Sequence, residues 1–150
     1  MINLRKVIKD DAQLLFKWIN EPDSRANAVN PKLILWNEHV AWLERKLSDE
    51  SVFMYILNDS SEDMGVIRFD SSPEGFIISY SIDKDYRGRG LGSTILKMGM
   101  EKINEMIENP ILIGYVKKGN IASEKIFNRF NFSIERKEMI RGIEFIVYKK

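Results

Sequence analysis

Apolar positions along this chain switch between strand-like runs and helical spacing. Leu4 to Ile8 reads as a first strand. Asp10-Asp11 then offers an N-cap, and Ala12, Leu15, Phe16 and Ile19 share one helical face until Pro22 stops the helix. Residues 23–35 are polar, hold Pro31 and lack a clear period, which predicts a loop or broken helix. A second helix starts near Trp36, with Trp36, Val40, Leu43 and Leu47 as its buried stripe. Val52 to Asn58 and Met64 to Asp70 read as strands joined by the turn from Asn58 to Asp63, and Ser71-Ser72-Pro73-Glu74-Gly75 turns into a strand from Phe76 to Ile82. A long helix follows from Gly90 to Glu108, with Leu91, Ile95, Met98, Ile103 and Met106 at helical spacing, and Asn109-Pro110 ends it. Ile111 to Val116 is wholly apolar, as expected of a strand in mid-sheet. A helix from Asn120 to Phe130 precedes a last hairpin, Phe132 to Met139 and Ile143 to Tyr148, around Arg141-Gly142.

The predicted order, β-α-α-β-β-β-α-β-α-β-β, describes a mixed α/β (α+β) sheet rather than regular βαβ alternation. No repeat or linker interrupts it, so residues 1–150 read as one domain, and 150 residues suffice for a sizeable core. Net charge is +1 and the basic residues are dispersed, which points away from nucleic acid and from a polybasic membrane anchor. The chain has no cysteine, which excludes disulfides, a thiol nucleophile and thiolate metal sites; a lone histidine, His39, argues against a protein metal site. No apolar run reaches a membrane span and Met1 to Lys6 lacks a signal-peptide core, so the expected location is cytoplasmic.

The richest segment runs from Asp83 to Ser93, Asp-Lys-Asp-Tyr-Arg-Gly-Arg-Gly-Leu-Gly-Ser, between a strand and a long helix. A strand, a glycine turn and a helix start aim free backbone N–H groups and the positive end of a helix dipole at one point, which suits a phosphate or pyrophosphate. Glycines let an anion approach the backbone, and Arg87 and Arg89 add charge. Read without a ligand, the segment is a tight turn with surface arginines. No Lys-Ser or Lys-Thr follows the glycines, as a P-loop requires, and Ser93 stands where the dinucleotide fingerprint has its third glycine.

Arg87-x-x-Gly90-x-Gly92 resembles the acetyl-CoA pyrophosphate motif, Gln/Arg-x-x-Gly-x-Gly/Ala, of the GNAT superfamily of N-acetyltransferases, and the resemblance spans nearly the whole chain. It implies a GNAT fold whose fourth and fifth strands, Phe76–Ile82 and Ile111–Val116, splay to admit the pantetheine arm of acetyl-CoA. It further implies backbone bonds to that arm from Ile82, Asp83 and Lys84. A pyrophosphate cradle would run over Arg87, Gly88, Arg89, Gly90, Leu91, Gly92 and Ser93. Asn120-x-x-Ser123-x-x-x-Phe127-x-x-x-Asn131-Phe132 resembles a second family motif, Asn-x-x-Ser-x-x-x-Tyr/Phe-x-x-x-Gly-Phe. There Asn120 would hold pantetheine and Ser123 would face the thioester. Asn131 replaces a glycine, and both tolerate a left-handed backbone. Phe127 replaces the tyrosine that serves many relatives as acid and has no proton to give. Ser123, Tyr86, Tyr115 and Tyr80 remain as candidate donors.

On the acceptor side, Leu4-Arg5, Asp11-Ala12-x-Leu14-Leu15-Phe16-x-Trp18-x-Asn20, Arg25, Trp36-x-x-His39-x-x-Trp42 and Gly65-x-x-Arg68-Phe69-Asp70 look like the GNAT subgroup that acetylates amino groups of nucleotide-linked deoxyamino sugars, as in pseudaminic-acid-type pathways. That implies direct transfer to a primary amine with both substrates bound. Trp18, Asn20, Trp36, His39 and Trp42 would line the acceptor, or the tryptophans would simply close the core. Arg25 and Arg68 would meet a nucleotide diphosphate, or form surface ion pairs. His39, titrating near neutrality, is the first candidate base, with Asp70 and Glu74 behind it. An N-acetyltransferase of protein N-termini or other small amines, and a non-catalytic acyl-CoA-binding module, are the alternatives. Monomer and homodimer stay open.

Overall fold

In the computed structural model, which describes Met1–Lys150, the chain runs β1 (Ile2–Lys6), α1 (Ala12–Ile19), α2 (Pro22–Asn27), α3 (Trp36–Ser48), β2 (Val52–Asp59), β3 (Glu62–Ser72), β4 (Gly75–Ile82), α4 (Leu91–Met106), β5 (Leu112–Lys117), α5 (Ile121–Arg129), β6 (Ser133–Ile140) and β7 (Ile143–Lys149). Short 3-10 turns lie at Lys9–Asp11 and Lys84–Tyr86. The strands form one sheet in the order β1-β2-β3-β4-β5-β7-β6, antiparallel except for the β4–β5 pair. No helix is long and apolar enough to cross a membrane.

The alternation of side chains along the strands divides the apolar residues between two faces. On β2, Tyr55 and Leu57 join a large core with Ile95, Leu96 and Ile103 of α4 and Phe127 of α5. Met54 and Ile56 turn the other way and meet Leu15 and Trp18 of α1 and Leu43 of α3. Each side chain buried in this way stabilises the fold by about 1.5–3 kcal/mol. Asn131 has φ 64°, the left-handed value expected where it replaces a glycine, and the turn at Arg141 and Gly142 has φ 52° and 75°.

Three local expectations change. Pro22 does not merely stop α1; it opens α2, where its missing N–H costs nothing, and the Glu21 carboxylate accepts from Ser24 N–H as the cap. Asp11 serves less as a cap than as the partner of Arg5 and of the Ile8 N–H. The buried stripe of α3 is His39 and Leu43, flanked by Val40, Trp42 and Lys46, while Trp36 and Leu47 are exposed. The stripe is rotated because α3 packs on α1 through the His39 ring, which reaches Ala12 O.

β4 and β5 are paired only at Phe76–Leu112, Ile77–Ile113 and Ile78–Gly114. β4 nevertheless stays on β3 as far as Ile82, and β5 stays on β7 as far as Lys117. The two strands therefore part company in mid-sheet, and the functional geometry follows from that.

Candidate active site

A cleft of about 1090 Å³ fills the gap between the diverging strands. The phase of the hydrogen bonds sets which backbone groups face it. Asp83 N–H donates to Met64 O of β3 at 2.8 Å, and Phe76 N–H donates to Ile111 O at 2.8 Å on the other side. Odd positions of β4 therefore serve β3, and the N–H and C=O groups of Tyr80 and Ile82 face the gap. This corrects the expectation for Asp83: its N–H is taken by Met64, and its C=O accepts from Tyr86 N–H. Asp83 and Lys84 do not line the cleft, and Ile82 O receives Arg87 Nε at 3.1 Å.

Past Asp85 the chain turns into α4 through Gly88 (φ 78°) and Gly90 (φ 75°). Both values lie in the region that only glycine adopts freely, and no atom comes within 4 Å of where their Cβ atoms would stand. The first turn-closing bond of α4 is Thr94 N–H to Gly90 O, and no backbone N–H from Arg87 through Ser93 has an acceptor within the chain. Open donors at a helix start, with space above the glycines, match the oxygens of a diphosphate. The cleft reaches Arg87, Gly88, Gly90, Leu91, Gly92 and Ser93, but not Arg89, whose guanidinium lies 5.3 Å from the Tyr86 ring and bonds Asp85 O. The Arg87 side chain pairs with Glu21 (2.7 Å) and Asp23 (2.9 Å) of the α2 segment. That pairing holds Glu21 below the usual carboxylate range and Arg87 above its ordinary value.

From the other wall, Asn120 caps α5 by accepting Ser123 N–H. The Ser123 hydroxyl lies 2.9 Å from Tyr80 Oη, so the start of α5 meets β4 across the gap. Burial pushes the Tyr80 phenol up despite that hydrogen bond. Phe127 is buried between Tyr148, stacked at 5.4 Å, and Phe132, edge-on at 4.9 Å.

The acceptor-side residues separate into two sets. Trp18, Arg25, His39, Trp42 and Arg68 border the cleft; Asn20 and Trp36 do not. Asn20 instead pins the loop before α3 by exchanging bonds with Ile34 N–H and C=O, and Trp36 is 41 % exposed, packed edge-on against Phe16. Trp18 is only 4 % exposed, and its Nε1 donates to Asp83 Oδ2 at 2.7 Å, so it anchors α1 rather than offering a face to a ring. Arg25 holds Ile19 O (2.6 Å) and Asn30 O (2.8 Å) and has no carboxylate partner; burial lowers its pKa. Arg68 lies 4.9 Å from the Trp42 ring and pairs with Asp70, which Lys46 also holds.

His39 differs most from expectation. It is 1 % exposed, stacked with Trp42 at 5.8 Å, and its Nε2 lies 2.9 Å from Ala12 O. That bond makes Nε2–H the donor and leaves Nδ1 a buried acceptor without a partner. Burial lowers its pKa, against the Ala12 bond; although the ring borders the cleft, Nε2 is bonded and Nδ1 is buried, so neither nitrogen is open to an amine. The two reserve bases fare no better: Asp70 is clamped by Arg68 and Lys46, and Glu74 is paired with Arg136. Among the reserve acids, Tyr86 donates to Glu62 and Tyr115 accepts from Arg136, while Tyr80 alone meets Ser123.

Residues 2–133 match the acetyltransferase (GNAT) domain family. The chain belongs to that family. Enzymes of the family are acetyl-CoA-dependent N-acetyltransferases. Three solved structures extend the likeness to the whole chain. RimL, a ribosomal L7/L12 α-N-protein acetyltransferase solved with coenzyme A, is 18 % identical and has a TM-score of 0.83, covering 99 % of this chain and 93 % of its own. An N-acetyltransferase from Staphylococcus aureus Mu50 is 19 % identical at 0.83, covering 100 % and 98 %. AAC(6')-Ib, solved with ribostamycin and coenzyme A, is 15 % identical at 0.83, covering 99 % and 92 %. At these identities the likeness is one of fold. No curated protein shows significant sequence similarity to this acetyltransferase.

The sequence reading missed one part of the site and left another undistinguished. α2 crosses the mouth of the gap, tied to Arg87 on one side and, through its Ala26 C=O, to Lys117 Nζ of β5 (2.8 Å) on the other. Its signal was present as Glu21-Pro22, an acidic cap before an N1 proline. Tyr80 was legible only as one tyrosine among several, because nothing local reveals which side chain a crossing strand will bring to Ser123.

Proposed function

We propose that this acetyltransferase moves the acetyl group of acetyl-CoA directly onto the primary amine of a nucleotide-linked deoxyamino sugar. The reading rests on one observation above others: unpartnered N–H groups from Arg87 through Ser93 open into a gap between strands whose backbone groups are also free to bond. Acetyl-CoA would be held there by those N–H groups, by Tyr80 and Ile82 along β4, and by Asn120 and Ser123 at the start of α5; it supplies an activated acyl carbonyl when bound. The chain itself needs no nucleophile, which agrees with the absence of cysteine. Its part is to orient the two substrates, exclude water and supply donors to developing charge.

Charge supports this acceptor class. Arg25 borders the cleft with no carboxylate partner, and Arg68 stands nearby on Trp42. The cleft carboxylates, Asp23 and Glu138, are each already held by an arginine, Arg87 and Arg136. A polycationic acceptor such as an aminoglycoside finds no free carboxylate, whereas a diphosphate finds Arg25. Release of thiol from acetyl-CoA, followed against UDP- and dTDP-linked aminodeoxysugars, peptide N-termini and aminoglycosides, tests the reading. Turnover with the sugar nucleotides, lost in Arg25→Ala, is expected. Turnover on peptide N-termini alone supports the reading that RimL exemplifies, and binding of CoA without turnover of any amine makes the chain a binding module.

A further inference from the structure

Phe127 occupies the position of the usual acid, and its ring has no proton to give. Its ring lies over the β5 backbone at Gly114, where a Cβ would collide with Cζ. Tyr148 stacks on the ring and Phe132 meets it edge-on. The ring is a packing element, held in place by the glycine it faces. The proton for a departing thiol must therefore come from elsewhere.

The cleft offers a donor on its opposite wall. Tyr80 Oη and Ser123 Oγ are 2.9 Å apart, and both residues border the cleft beside the point where β4 and β5 diverge. Carboxyl and imidazole groups do not reach that place: Asp23 and Glu138 are arginine-bound, and His39 is buried against α1. A serine hydroxyl alone is too weak an acid for the task. A phenol, even one that burial pushes up, is a far stronger acid than an alcohol, and it can resupply the serine proton as the thiol leaves.

We propose that Tyr80 is the general acid of this acetyltransferase, acting through Ser123, in place of the hydroxyl that Phe127 lacks. Ser123 gives its proton to the sulfur as the thioester C–S bond breaks and that bond's electron pair stays on sulfur. Tyr80 replaces the Ser123 proton with its own. The proton shed by the amine as the C–N bond forms returns to Tyr80 through water in the cleft. This builds on acetyl-CoA occupying the gap.

The absence of cysteine provides a direct test, because any thiol bound to this protein is the coenzyme's own. The ultraviolet thiolate signal of CoA bound to wild type, Tyr80→Phe and Ser123→Ala is titrated with pH, with the same proteins holding desulfo-CoA as the blank that cancels tyrosine. Donors aimed at sulfur stabilise thiolate, so the bound thiol should titrate roughly one unit lower in wild type than in either variant. The kcat should fall roughly a hundredfold in Tyr80→Phe, with little change in KM for acetyl-CoA. The two effects should not add in the double variant. Equal thiol titration in all three proteins overturns the proposal even if Tyr80→Phe is slow, because a packing role would not touch the thiol. An unchanged kcat overturns it as well. Failure of wild type to bind CoA overturns the acetyl-CoA reading itself, and the proposal with it.

Discussion

Trp18 Nε1 donates to Asp83 Oδ2 at 2.7 Å, across 65 positions of sequence. The bond ties α1, on the acceptor side, to the end of β4, where the cofactor loop begins. Asp83 also accepts Asp85 N–H at 2.9 Å. Burial would raise its pKa, but Trp18, Asp85 N–H, Lys17 and Arg87 together hold the carboxyl below the usual range. Trp18→Phe keeps most of the ring and removes the donor. A hydrogen bond to a charged group contributes about 1.5–3 kcal/mol, so urea unfolding should register a loss of that size. CoA affinity should fall with it, since the strand end that starts the loop loses its anchor.

Gly90 and Gly92 answer different questions. Gly90→Ala meets no neighbour but must hold φ near 75°, at a cost of about 1–2 kcal/mol. Gly92 has an ordinary φ, and a Cβ there would press on the flexible tip of Ile126 at 2.7 Å and touch the Tyr80 ring at 3.8 Å, an ordinary contact. Gly92→Trp should therefore fold, fill the cradle and abolish acetyl-CoA binding by calorimetry.

Lys117 and Arg87 hold α2 from opposite sides of the gap. Lys117→Met removes one tie without touching the cradle. Stopped-flow binding should show faster CoA association and dissociation with a small change in Kd, and salt should blunt the difference because both ties are near solvent.

Most of this arrangement was legible in the chain because it is local. The strand before the loop, the glycines at 88 and 90, the helix after them and the Asn120–Ser123 cap are contiguous segments, each with its own periodicity or turn chemistry. The splay of β4 from β5 came only with the family resemblance, since no pattern in Phe76–Ile82 marks where pairing stops. What was misread depended on which way a helix face turns. Trp18 lies off the apolar stripe of α1 and reads as either an acceptor-lining or a core residue; a partner 65 residues away draws it into the core. His39 looked like a base because its pKa is ordinarily near neutral; only the packing of α3 on α1 reveals that its ring is enclosed.

His39 has a stability consequence instead. Its folded pKa is lowered, chiefly by burial, so the unfolded chain binds the proton more readily. Stability is then greatest above the unfolded value, about 6.5, and falls as pH drops below it. Asp63 and Asp83 add a second, more acidic stage. Burial alone would raise both, but their hydrogen bonds outweigh it and both are lowered, so their contribution holds above pH about 4 and is lost as pH falls through their folded values. Urea midpoints measured against pH should lose only the upper stage in His39→Gln. The pH dependence of kcat should be unchanged in that variant, because neither ring nitrogen is open to an amine.

The account turns on where coenzyme A sits. A crystal structure of the chain soaked with acetyl-CoA should place the diphosphate on the N–H groups from Arg87 through Ser93 and the pantetheine arm alongside Tyr80 and Ile82, with its sulfur beside Ser123. Coenzyme found on any other surface, with β4 and β5 still apart and the glycine turn bare, would contradict it.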